Sequence, residues 1–295
     1  MDALFPGFRT FDLPGAEGVS IRGVIGGSGP PLLLLHGYPQ THAIWHRVAP
    51  RLSKQFTIVA TDLRGYGDSG KPPTDLNHAP YSKRAMAGDQ VAVMRALGHE
   101  SFFLCGHDRG GRVAHRLAMD HPGAVRKLAV LDIAPTREMY AATNFDFARS
   151  YYWWFFLIQP ADLPEHLIGA NPRNWLERKM AGKASNTKGL TLFDPAAFAE
   201  YVRCFTPECI HTTCEDYRAA ANIDITHDNA DGDRKLSPPL LALWGANGTV
   251  GRCFDVLELW RNRAQNVEGK PLPSGHYIPE ECPDELAERL LAFFA

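Results

Sequence analysis

The chain has almost no excess charge: 31 Lys and Arg stand against 33 Asp and Glu, a formal net charge of −2. Nothing in that balance favours nucleic acid or an anionic membrane as partner. No apolar run reaches the ~20 residues needed to cross a bilayer, and the apolar cluster at residues 151–158 is too short. Residues 1–7 lack a basic stretch followed by an apolar one, so no signal peptide is expected. The six cysteines, Cys105, Cys204, Cys209, Cys214, Cys253 and Cys282, form no Cys-x-x-Cys pair. The even spacing of Cys204, Cys209 and Cys214 matches no common zinc arrangement. These absences predict free thiols, no metal and a cytoplasmic protein. Internal repeats and low-complexity tracts are also lacking.

What is present suits a large α/β domain, or one with an insertion: 295 residues, 45% of them hydrophobic. Residues 8–13 and 19–24 flank Pro14-Gly15 and read as a hairpin. Leu32-Leu33-Leu34-Leu35 reads as a strand buried on both faces, ending in His36-Gly37-Tyr38-Pro39-Gln40. Residues 56–60, 102–105, 128–131 and 240–244 read as further strands, with a weaker one near Val267. Helical periodicity covers 82–97, with Ser82 as cap, then 112–119 and 283–293. Alternating strands and helices imply a mainly parallel sheet with helices on both faces, with ligands beyond the strand C-termini. From 137 to 236 the pattern is helical and aromatic without strand signal. The expected division is a core of residues 1–136 and 237–295 with a helical cap at 137–236 folded over the strand ends.

The organising stretch is Gly106-His107-Asp108-Arg109-Gly110-Gly111, between a strand and a helix. Glycines two residues to either side of a central residue allow a sharp elbow that lifts one side chain above the sheet. The central residue is Asp108, a carboxylate able to attack carbon and leave an ester on the enzyme; the alternative is an Asp that merely caps the helix. In such an architecture Tyr38 and Arg109 supply the two oxyanion-hole N–H groups. Hydrolysing an ester needs a base with an acidic partner. His276, in Gly275-His276 after the last strand, is the candidate base. Asp132, ending the strand at 128–131, is the candidate partner, since Gly245-Ala246-Asn247-Gly248 after the next strand holds no carboxylate. Arg109 and Arg112 lie at i and i+3 on one helical face. Arg suits the bidentate grip of a carboxylate, so the pair points to a small acid as substrate.

Over its whole length the chain resembles the α/β-hydrolase fold, and within it the haloacetate (fluoroacetate) dehalogenases. The carrying residues are His36-Gly37-Tyr38-Pro39-Gln40, His107-Asp108-Arg109-Gly110-Gly111-Arg112, Asp132-Ile133-Ala134-Pro135-Thr136, the cluster at 152–156, Tyr217 and His276. The His-Asp-Arg-x-x-Arg stretch is the specific part, because related haloalkane dehalogenases and epoxide hydrolases usually have Trp after the nucleophile. The resemblance implies Asp108 as nucleophile, His276 as base, Asp132 as its partner, Arg109 and Arg112 as carboxylate clamp, no cofactor, and a homodimer. It also implies a halide pocket in the cap, built in the family from a His-Trp pair and a Tyr. Trp154 and Tyr217 match; Trp153 stands where the His is expected. Indole offers one N–H but cannot become cationic, so fluoride release is expected to be weakened while chloride or bromide release persists. Such aromatics are also ordinary core residues. Two alternatives stay open: an epoxide hydrolase using Tyr152 and Tyr217 as ring-opening acids, and a non-catalytic binder of small acids.

Overall fold

Leu32, Leu33, Leu34 and Leu35 are wholly buried, as a central strand covered on both faces requires. They belong to an eight-stranded sheet: β1 Arg9–Pro14, β2 Ser20–Gly26, β3 Pro31–Leu35, β4 Thr57–Thr61, β5 Phe102–His107, β6 Val125–Leu131, β7 Leu240–Gly245 and β8 Val267–Leu272. The order across the sheet is β1-β2-β4-β3-β5-β6-β7-β8. The first two strands form an antiparallel hairpin, and β2 pairs antiparallel with β4. From β4 to β8 every pairing is parallel. The structure, a computed structural model, describes residues 3–182 and 188–295. Residues 1–2, at the start of the segment read for a signal peptide, and 183–187, inside the expected cap, lie outside them.

Parallel strands need crossovers, and the helices Lys83–Ala96 and Arg109–Asp120 supply two of them. Ser82 caps the first, its hydroxyl accepting the Ala85 N–H at 3.2 Å. Between β6 and β7 the described residues form a helical insertion that includes Tyr152–Phe156, Pro172–Ala181 and Pro207–Ala221. All six cysteines are free. Among the described residues no helix is long and apolar enough to cross a membrane.

Two boundaries differ from the pattern reading. The helix after β5 begins at Arg109, not Arg112. The whole turn is made by Asp108 at φ 48° and ψ −114°, so Gly110 and Gly111 are helical. Gly110 is there for contact, since a Cβ on it would sit 2.4 Å from the His36 carbonyl oxygen. The weak strand near Val267 is a full edge strand containing Gly269 and Pro271, residues that depress strand propensity but are tolerated at an edge.

Candidate active site

Asp108 stands at the C-terminal end of β5, in a positive-φ conformation that costs a non-glycine residue energy. The elbow fits because its neighbours are small. A Cβ on Gly37 would come within 2.4 Å of the Asp108 Cβ. The Tyr38 N–H donates to Asp108 Oδ1 at 2.9 Å. The Arg109 N–H lies in the first helical turn, where no intrahelical acceptor exists. Burial opposes charge on Asp108, but the His276 and His107 imidazoles, Arg109 and Arg112 outweigh it and hold the carboxyl at about 2. It is therefore an anion at neutral pH.

His276 and Asp132 meet here from separate strand ends. His276 Nδ1 is 2.6 Å from Asp132 Oδ2, and the Gly245 N–H donates to Asp132 Oδ1 at 3.0 Å. With Nδ1 facing the carboxylate, Nε2 is turned toward Asp108 Oδ2 at 3.9 Å. That distance is too long for a hydrogen bond, so the imidazole does not tie up the carboxylate. His107, held near 3 chiefly by burial, is a neutral imidazole whose Nε2 lies 2.8 Å from the His276 carbonyl oxygen. Its N–H fixes the backbone that carries His276.

The two arginines are both buried but differently placed. Arg109 donates from Nε and Nη2 to the two carboxylate oxygens of Asp216, each at 2.8 Å, and from Nη2 to the Asp216 carbonyl at 2.9 Å. Burial alone would disfavour the cation; Asp216 reverses that and raises its pKa. Half of the expected clamp is thus braced by an insertion carboxylate. Nη1 has no partner among the described residues. Arg112 donates from Nη1 to Thr136 Oγ1 at 2.9 Å and to the Ala134 carbonyl at 3.2 Å, yet makes no ion pair among the described residues. Burial and the charge of Arg109 lower its pKa.

Aromatic rings close the space around these cations. Arg109 lies 4.1 Å from the centre of the Tyr217 ring, and Arg112 4.5 Å from that of Trp154. The Tyr217 and Tyr140 hydroxyls are buried without a hydrogen-bond partner among the described residues, and the Tyr140 ring centre is 4.8 Å from that of Trp154. Trp153 is buried beneath Lys179. Of the tyrosines considered as ring-opening acids, Tyr152 is 48% exposed. Tyr151 instead reaches inward, its hydroxyl 3.4 Å from His276 Nδ1.

Several of these neighbours, Asp216, Tyr140, Tyr151 and Lys179, were not legible as site residues in the sequence. Asp216 adjoins Tyr217, but nothing local separates it from other helical acids. An open cleft of about 510 Å³, lined by Lys127, Leu240, Val267 and Phe293 among others, lies at the opposite ends of the strands. It contains none of the groups described above.

Buried donors gathered beside an ionised carboxylate, with an imidazole–carboxylate pair across from it, can bind an anion and carry out nucleophilic displacement followed by hydrolysis. A model of the alpha/beta hydrolase fold matches residues 30–283. The chain is 44% identical over 293 residues to a fluoroacetate dehalogenase from Burkholderia sp., covering 99% of this chain and 95% of that protein. It is 36% identical over 283 residues to a soluble epoxide hydrolase from Corynebacterium sp. (strain C12), covering 95% of each. A crystal structure from Nostoc sp. PCC 7120, provisionally assigned as an alpha/beta hydrolase, superposes with a TM-score of 0.95 at 54% identity over 98% of both chains. The matched span and the near full-length identity show that this hydrolase belongs to the α/β-hydrolase superfamily, as a member of its haloacetate dehalogenase family.

Proposed function

We propose that this enzyme hydrolyses haloacetate to glycolate and halide through an ester on Asp108. One observation carries the reading. Among the described residues Arg112 is a buried cation in no ion pair, and Arg109 Nη1, Arg112 Nε and the Tyr217 and Tyr140 hydroxyls are buried donors without acceptors. Unpaired buried donors and cations are costly, and a small carboxylate bearing a halogen supplies the acceptors they lack.

In this reading Arg112 and Arg109 hold the substrate carboxylate. Asp108 Oδ2 attacks the halogen-bearing carbon in line, with inversion at that carbon. The halide leaves toward Trp154, Tyr217 and Trp153. Water deprotonated by His276, oriented by Asp132, then attacks the ester carbonyl, and the N–H groups of Tyr38 and Arg109 stabilise the oxyanion. No cofactor enters the scheme. Residues 137–236 act as cap over a core of 1–136 and 237–295. Trp153 in place of a cationic group makes carbon–fluorine cleavage slower than carbon–chlorine cleavage. A homodimer is expected, and Leu163 and Leu167, half-exposed one turn apart on the insertion, are candidates for its contact.

The test is free halide released from fluoroacetate, chloroacetate and bromoacetate, with Asp108→Asn as blank. Chloride and bromide release that vanishes in the variant supports the scheme; wild-type rates from Asp108→Asn would sink it. The epoxide hydrolase relatives keep a second reading in view, but the exposure of Tyr152 removes one of its two acids, and a neutral epoxide leaves Arg112 unpaired. Turnover of styrene oxide without halide release from any haloacetate would favour it.

A further inference from the structure

Lys179 lies on the helix Pro172–Ala181 one turn after Trp175, so the two share a face. That face looks onto the nucleophile: Trp175 Nε1 donates to the Tyr38 hydroxyl at 2.7 Å, and the Tyr38 N–H donates to Asp108. Lys179 is only 4% exposed. Its Nζ sits 3.7 Å from the centre of the Trp153 ring and 5.9 Å from that of Tyr277, whose ring centre is 5.1 Å from that of His276. Among the described residues this ammonium makes no ion pair and no hydrogen bond. Burial draws it down to about 8, and the charge that pushes it back up is that of Asp108.

A buried lysine that, among the described residues, meets aromatic rings and feels the charge of one carboxylate is costly unless an anion joins it. The reaction delivers one. When Asp108 attacks, a carboxylate lone pair forms the new C–O bond, the carbon–halogen bond breaks, and its electron pair leaves with the halide. No proton moves. The negative charge passes from Asp108 to the halide, and Lys179 then faces a neutral ester. The two arginines remain with the substrate carboxylate.

We propose that Lys179 is a halide-binding residue: its ammonium, seated over Trp153, receives the halide as it leaves and lowers the barrier to carbon–halogen cleavage. This inference rests on the dehalogenase reading above. It places a cation on the Trp153 side of the pocket, where indole alone has none.

The experiment compares wild type, Lys179→Met and Lys179→Arg. Halide release from chloroacetate and bromoacetate gives kcat and KM, and bromide quenching of tryptophan emission gives halide affinity without turnover. Loss of one charge-assisted contact predicts a kcat roughly 10- to 100-fold lower in Lys179→Met, more for chloride than bromide, with KM within about 3-fold. Bromide affinity should fall about 10-fold or more, and Lys179→Arg should recover most of both. Unchanged kcat and bromide affinity in a folded Lys179→Met enzyme would overturn the proposal. So would a raised KM at unchanged kcat, which would mean that Lys179 captures substrate instead. If Lys179→Met does not fold, Lys179→Gln carries the same comparison. A wild type that releases no halide would fail the dehalogenase reading itself; a wild type that turns over beside an equally fast Lys179→Met would fail this inference alone.

Discussion

Replacing Asp216 by Asn tests the brace behind Arg109. Asp216 is fully buried. Its Oδ2 accepts from Arg109 Nε at 2.8 Å and from the Tyr66 hydroxyl at 2.6 Å; its Oδ1 accepts from Arg109 Nη2 at 2.8 Å and from Lys83 Nζ. Both oxygens therefore receive an Arg109 N–H. Whichever way an Asn amide is turned, its NH₂ opposes one of them. The variant also leaves Arg109 and Lys83 with one negative charge fewer, and Lys83 must lean on Asp224, 3.6 Å away. Breaking a buried ion pair on one side costs about 3–5 kcal/mol, a large share of the ~5–15 kcal/mol that holds a protein folded. Burial opposes charge on Asp216, but Arg109 and Lys83 together depress its pKa. Its contribution is thus fully present above about pH 4, the unfolded-chain value. It is lost only as pH falls through the lower folded value. Urea unfolding at pH 5 to 8 should show a level gap between wild type and Asp216→Asn. With Arg109 free to shift, kcat/KM for chloroacetate should fall about 100-fold. A stability loss below about 1 kcal/mol together with unchanged kcat/KM would refute the reasoning.

Arg112→Met should trade function for stability. Removing a buried cation that makes no ion pair among the described residues should raise unfolding free energy by about 1–3 kcal/mol while raising KM for chloroacetate about 100-fold or more, read by urea titration and halide release. His276→Gln should stop at the ester: about one halide per active site is released in a burst, the protein gains the mass of one carboxymethyl group, and further turnover falls by about 10³-fold or more. Glu280 is buried, with the Gln40 amide and Tyr201 hydroxyl donating to its Oε1, and burial raises its carboxyl from 4.5 to about 8. The folded chain keeps it neutral while the unfolded chain ionises above about 4.5, so its contribution becomes more unfavourable as pH climbs toward 8. Glu280→Gln should therefore gain stability over wild type progressively from pH 5 to pH 8. At about 1.4 kcal/mol per pH unit the gain has an upper bound of about 5 kcal/mol. A gain that does not grow with pH would contradict this origin.

How much the sequence showed depended on how local each signal was. β3 and β5 were legible because a strand buried on both faces reads as an apolar run whatever its neighbours. The elbow was legible because glycine spacing reports backbone crowding, and Asp132 because the next strand's loop offers no carboxylate; the structure places its Oδ2 2.6 Å from His276 Nδ1. The start of the following helix was misplaced by three residues because glycines used for close packing, Gly110 against the end of β3 and Gly111 against Ile133, look like turn glycines. Asp216 and Lys179 were invisible for a different reason. Each gains its meaning from how the insertion docks, with Asp216 reaching a partner 107 positions away, and composition and periodicity carry nothing across such a separation. For Arg109, sequence alone gave the position but not the state: the helical face was legible, the carboxylate already on its fork was not.

The two oxygens of Asp108 are not alike. One accepts the Tyr38 N–H; the other faces His276. Under the proposed scheme the facing oxygen departs in the hydroxyl of glycolate at each cycle and is replaced from water, while the oxygen held by Tyr38 never leaves. If the carboxylate does not rotate between cycles, the enzyme behaves as a one-oxygen relay. After many turnovers in heavy-oxygen water, Asp108 would carry a single labelled atom, with its other oxygen still the one incorporated when the chain was synthesised.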